Sequence, residues 1–160
     1  MKTADEWFDE YGESHQDKFN KMVHYICVPA IFFSIIGLLA SIPLGTINEF
    51  FPASVAPYVH PGSIVILAGL VFYFRLSFSI FIGMLLISLF VLWGNYQLAV
   101  NVAMPLWLIS VIIFVVAWIF QFIGHKHEGK KPSFLKDLQF LLVGPAWILG
   151  HIYKKIGIGY

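Results

Sequence analysis

Between residues 26 and 123 only Glu49 and Arg75 carry a formal charge, and no other feature restricts the possible folds so strongly. About 20 consecutive apolar residues in a helix match the hydrocarbon thickness of a bilayer. The stretch divides into four such runs, at 26–43, 58–74, 76–93 and 106–123. The second reaches that length only if it begins near Tyr58, which gives about 17 residues, the lower limit for a span. The reading is an all-α integral membrane protein, with residues 1–160 forming one membrane domain. Composition agrees: 12% of residues are charged, against about a quarter in soluble domains. Some 25 polar or mixed residues, many acidic, precede the first run, so the sequence predicts no cleavable signal peptide. Cys27, the single cysteine, cannot form an internal disulfide and reads as a small core residue. A net charge of +1 gives no reason to expect nucleic acid as a partner.

The flanking segments carry the polar groups. Residues 1–13 predict a short amphipathic helix whose Trp7, Phe8 and Tyr11 form an aromatic face suited to the membrane surface, ended by Gly12. Ser14 followed by Asp17 is a capping-box pattern, which starts a second helix at about His15. Pro29 should kink that helix. Residues 45–60, rich in proline and aromatics, read as an interfacial connection, and Pro61 suits the first turn of the next helix. Ser77 is placed to cap the third span. Gly94, Asn95, Gln97 and Asn101 read as a polar return before Pro105. In 134–156 an apolar segment of about 13 residues, interrupted by Gly144 and Pro145, is too short to span and predicts a re-entrant or interfacial helix.

Charge settles the expected topology, because Lys and Arg near span ends favour the cytoplasmic side. Four spans place the N-terminus, Arg75 and the C-terminal tail on one face. That face then holds all ten basic residues, and the two opposite connections hold none. His15, His24, His125, His127 and His151 share the basic face, whereas His60 stands alone on the other.

This co-location gives weight to Gln121–Pro132, QFIGHKHEGKKP, where His125 and Glu128 stand three residues apart behind the last apolar run. Imidazole and carboxylate together ligate first-row divalent metals. The competing reading is a solvated collar of interfacial side chains. His15 and His24 present a geometric difficulty: nine residues of helix leave them half a turn out of phase and about 13.5 Å apart along the axis. Serving one ion requires a break in the helix, or His15 in a connection before it, and a cap at Ser14 speaks against the latter. Otherwise they serve two metals, or one only supports the other. Asn20 and His24, four apart, share a face.

The pairing of His15–His24 (HQDKFNKMVH) with Gln121–Phe134 (QFIGHKHEGKKPSF) and Leu141–Trp147 (LLVGPAW) resembles the Fe(II)-dependent 2-hydroxy fatty acid α-dioxygenases of phytosphingosine degradation. That family has fungal members in the endoplasmic reticulum and many bacterial members. The resemblance covers essentially the whole chain and implies His15, His24 and His125 as iron ligands, with Asn20 and Glu128 in supporting or ligating catalytic roles. His127 joins the metal set only if the backbone around it is extended or irregular. No motif of the family falls on His151. The expected cofactor is Fe(II), with O2 as cosubstrate, and the active face is cytoplasmic, on a bacterial inner membrane or the endoplasmic reticulum.

The implied reaction, RCH(OH)COOH + O2 → RCOOH + CO2 + H2O, balances without flavin, nicotinamide or a 2-oxo acid. Lys130 and Lys131, with Lys126, are candidates to attract the substrate carboxylate, although each equally serves as a membrane anchor. Expected partners are a long-chain 2-hydroxy fatty acid and membrane lipid, with a homo-oligomer left open. Two other classes compete. Another metal-dependent lipid enzyme would use the same face, and a transporter or scaffold would need no metal. Against a transporter, the spans hold no charged side chain at depth, where ion pathways usually place one.

Overall fold

A computed structural model describes residues 2–13, 15–129 and 140–160, and among these every regular element is a helix. α1 covers Ala4–Gly12, α2 Lys18–Ala40, α3 Pro61–Leu76, α4 Phe78–Asn101, α5 Leu106–Glu128 and α6 Val143–Ile156. Two short 3-10 turns, Gly45–Phe50 and Ala56–Tyr58, lie in the connection between α2 and α3. α2, α4 and α5 are each long and apolar enough to cross a membrane. α3 has 16 residues, about 24 Å of helix against a hydrocarbon core of about 30 Å. Large apolar side chains such as Ile26, Ile64, Phe78 and Phe90 stand exposed on the outer surface.

Local chemistry fixes the helix starts. Thr3 and Glu6 form a reciprocal capping box at α1, which also holds the Glu6 carboxyl below the usual carboxylate range. Asp17 caps α2 by accepting the Asn20 N–H at 2.9 Å. The second helix therefore starts at Lys18 and not at His15; Ser14, the expected cap, lies outside the described residues. Nδ1 of His60 accepts the Ser63 N–H, and Pro61 occupies the first turn of α3. Ser77 caps α4 as its sequence position predicts.

Three other expectations are corrected. α4 does not stop at Trp93: it runs to Asn101, so Gly94, Asn95 and Gln97 are helical and form no polar return. Asn95 is buried and its amide donates to the carbonyls of Phe33 and Val91, which accommodates a polar residue in a helix interface. α5 continues past Ile123 through Glu128 and ends at Gly129, whose φ of 74° lies in the left-handed region that glycine tolerates. The aromatic face of α1 points inward: Phe8 and Tyr11 are buried against α6 and do not face a membrane surface.

α6 is the helix against which much of this packs. Residues 143–150 are all buried, so its first half inserts into the bundle and does not lie on the outside of it. Pro145 sits in its first turn, where a missing N–H costs little. The Tyr73 hydroxyl donates to the Leu142 carbonyl at 2.7 Å and the Tyr153 hydroxyl to Ser79 at 3.0 Å, tying α6 to the ends of α3 and α4. α2 and α5 form the closest helix pair, and they carry the centre described next.

Candidate metal centre

His15 lies in the connection between α1 and α2, and this position resolves the phase problem. After α1 ends at Gly12 the chain turns back, with the His15 N–H bonding the Gly12 carbonyl at 2.9 Å, before Asp17 starts α2. The His15 ring thereby lies over the first turns of α2. Its Nε2 is 2.8 Å from Nε2 of His24. His125 arrives from the last turn of α5, with its ring centroid 4.9 Å from that of His24 and 5.4 Å from that of His15. One ring nitrogen from each of the three lies within 4.8 Å of the others. All three imidazoles are at most 3% exposed, so the cluster is interior and is no solvated collar.

Hydrogen bonds assign the tautomers. Nδ1 of His15 is 2.6 Å from the Tyr11 carbonyl, and Nδ1 of His24 is 2.9 Å from the Asn20 carbonyl. A carbonyl oxygen only accepts, so each Nδ1 carries the proton and each Nε2 presents its lone pair. Two lone pairs facing across 2.8 Å call for a cation or a shared proton between them. A ring N–H anchored on a carbonyl, with the other nitrogen turned inward, is the usual arrangement of metal-bound histidine. Three neutral imidazoles suit iron, zinc, copper or nickel. The residues present therefore fit a first-row divalent metal.

Asn20 and Glu128 brace this arrangement. The Asn20 amide donates to Oε2 of Glu128, while Oε1 of Glu128 accepts the Gln16 N–H at 2.7 Å and the Asp17 N–H at 3.4 Å. One carboxylate thus joins the end of α5, which carries His125, to the connection that carries His15. Gly124 permits the approach: a Cβ there would lie 2.5 Å from Oδ1 of Asn20.

The other candidates fall elsewhere. His127 is exposed and contacts Phe19 at 5.1 Å between ring centroids, away from the three histidines. Because the segment is helical, residues two apart point about 200° from each other, so the extended backbone that His127 would need does not occur. His151 is half-buried on α6, its Nδ1–H donating to the Trp147 carbonyl at 2.9 Å. His60 remains the cap of α3 at the far end of the bundle. Lys130 and Lys131 lie outside the described residues, and Lys126 is exposed. Sequence reasoning missed Tyr11, which stacks on His15 at 4.3 Å as well as holding its Nδ1. The signal was present: Tyr11 and His15, Asn20 and His24, and Trp147 and His151 are each four residues apart, and each histidine bonds the carbonyl four positions back.

Two spaces flank the cluster. On one side a cleft of about 30 Å³ runs between α2 and α5, with Tyr11, His24, Trp118 and Gln121 in its wall. On the other a polar cavity of about 250 Å³ is lined by residues including Glu13, His15, Lys21, Trp147, His151 and Lys154.

A helical bundle with three interior imidazoles converging where its two closest-packed helices meet defines a candidate metalloprotein of the membrane-helix type. The family described as 2-hydroxy-palmitic acid dioxygenase Mpo1-like matches residues 1–156, and the chain belongs to that family. No curated protein and no solved structure matches it.

Proposed function

We propose that this protein is an iron-dependent dioxygenase that shortens 2-hydroxy fatty acids by one carbon. The observation that carries the reading is the interior convergence of His15, His24 and His125 in a chain whose family is described as a 2-hydroxy-palmitic acid dioxygenase. These three residues would hold the metal. Iron bound there would supply dioxygen activation. The hydroxy acid and O2 exchange four electrons in RCH(OH)COOH + O2 → RCOOH + CO2 + H2O, so no further reductant is required.

The protein's own contributions are positional. Tyr11 and Asn20 hold the His15 and His24 rings through their carbonyls, and Asn20 with Glu128 fixes the distance between α2 and α5. The polar cavity beside His15 receives the carboxylate head, where Lys21 and Lys154 offset the charge of Asp9 and Glu13 in the same wall. Lys130 and Lys131 remain further candidates for that charge. The cleft on the His24 side has room for a molecule the size of water or O2. We also propose four spans within one membrane domain, with α3 as the shortest, and the centre at the basic, cytoplasmic face.

The test is anaerobic purification, loading with Fe(II) and measurement of O2 uptake with 2-hydroxypalmitic acid. Pentadecanoic acid and CO2 are expected in equal amounts, one of each per O2. Turnover that survives complete chelation, or O2 uptake without chain shortening, would overturn the reading.

A further inference from the structure

His151 stands in the wall of the polar cavity. The same side chain lines an adjoining space of about 260 Å³ with Tyr25, Ile148, Ile152 and Lys155. Tyr25, Ile148 and Ile152 also line a third space of about 350 Å³ between α2, α4 and α6. Tyr25 is the one polar side chain in that lining. Phe32 and Val91 form buried parts of its wall, and the exposed Pro29 and Phe90 stand on the outer flank of the bundle. Shared side chains thus set the three spaces side by side, from His15 past Tyr25, Trp147 and His151 to an apolar chamber. The rings at this neck stand between the two ends: Trp147 and His151 are 4.2 Å apart and Tyr25 lies 5.9 Å from Trp147.

We propose that this chamber between α2, α4 and α6 is the acyl-chain compartment, and that it is loaded sideways from the lipid. The inference rests on the reading that the three histidines hold the head of a hydroxy acid. Size decides between the two apolar spaces. The cleft between α2 and α5, at about 30 Å³, matches about one water molecule. The chamber, at about 350 Å³, falls within the range of about 300–1,000 Å³ typical of ligand sites. Length agrees as well. From Tyr25 to Phe33 the α2 wall rises about 12 Å. An extended chain advances about 1.2 Å per bond, so this wall accommodates about ten carbon–carbon bonds, and the neck and polar cavity take the carbons nearer the head. Polarity falls along the same path, from Lys21 and Lys154 through His151 to Ile87 and Val91, as an amphiphile requires.

The experiment uses the full chain in detergent with palmitic acid carrying a photoreactive diazirine near its methyl end. Labelling is expected at Phe32, Phe33, Ile87 or Val91 and should fall at least about fivefold with excess 2-hydroxypalmitic acid. Labelling of Phe114 or Trp118 in the narrow cleft would overturn the proposal, as would labelling that the hydroxy acid does not reduce. A second measurement uses Ile87→Trp, which fills the chamber. It should lose at least about tenfold in turnover of 16-carbon relative to 10-carbon hydroxy acids while retaining the shorter reaction; an unchanged ratio counts against the compartment. Competable labelling in the chamber without O2 uptake would remove the dioxygenase reading and leave the compartment in place. Chain shortening with labels in the narrow cleft would do the reverse.

Discussion

Two backbone carbonyls, those of Tyr11 and Asn20, set the ring tautomers of His15 and His24, and the centre depends on rings held this way. Replacing His15, His24 or His125 by Ala is expected to lower metal affinity by more than the 10–100-fold typical of losing a supporting group, with O2 uptake falling in parallel. His127→Ala and His60→Ala should keep metal content near wild type. Metal analysis by mass spectrometry on all five variants checks this, and an empty His127 variant beside a loaded His125 variant would reverse the assignment. Gly124→Ala tests the approach of α5 to Asn20. Its Cβ would stand 2.5 Å from Oδ1 of Asn20 and 3.4 Å from Val23, so a loss of about 1–3 kcal/mol from overpacking is expected, together with about 10-fold weaker metal binding. Chemical unfolding and metal titration measure the two effects. That His15, His24 and His125 belong together was legible in the sequence, and the structure brings one ring nitrogen of each within 4.8 Å of the others. The position of His15 was not legible, because two acceptor side chains, Ser14 and Asp17, compete to start the helix and local pattern does not rank them.

α2 and α5 act as one unit because Glu128 connects the end of one to the start of the other. Its carboxylate accepts from Gln16, Asp17 and Asn20, and hydrogen bonds to a charged group contribute about 1.5–3 kcal/mol each when buried. Glu128 is partly exposed, so Glu128→Gln is expected to cost about 1–2 kcal/mol in total. It should weaken metal binding about 10-fold by loosening the connection that holds His15. Melting temperature and metal affinity in detergent read both, and a variant that melts normally and binds metal normally would show that the carboxylate does not position the centre. Helix types could be inferred from the apolar runs, but two of their ends could not. The end of α4 was hidden because Asn95 and Gln97 look like a turn, whereas the buried Asn95 amide finds partners on its own helix and on α2. The end of α5 was hidden because a charged cluster following a span reads as a collar, although Gly129 marks the actual stop. The buried half of α6 was the least legible, since Gly144 and Pro145 suggest a break and only the neighbouring helices show them in a first turn.

The helix connections set two distinct ends of the bundle. At one end Glu128 meets Gln16, Tyr73 meets Leu142 and Tyr153 meets Ser79. At the other Tyr58 lies beside Tyr96, and Gly37 faces Asn95 and Ser110. The first end carries the three histidines, and the proposed four-span topology puts its basic residues on the cytoplasmic side. This topology is expected to place Glu10, Arg75 and Gly159 on one side of the membrane and Asn48 on the other. Cys27 is buried, which gives a quiet background for single-cysteine variants labelled by a membrane-impermeant maleimide. Glu10→Cys, Arg75→Cys and Gly159→Cys should react only in inside-out vesicles, and Asn48→Cys only in right-side-out cells. Equal reaction of Asn48→Cys and Arg75→Cys from the same side would mean that α3, at 16 residues, does not cross. The bundle could keep its internal contacts in that case, but α3 would have to lie within the membrane without spanning it. The charge argument would then no longer assign the histidine end to the cytoplasm. Labelling of Glu10→Cys and Gly159→Cys from opposite sides would separate α1 from the end of α6, against the packing of Phe8 and Tyr11 on that helix.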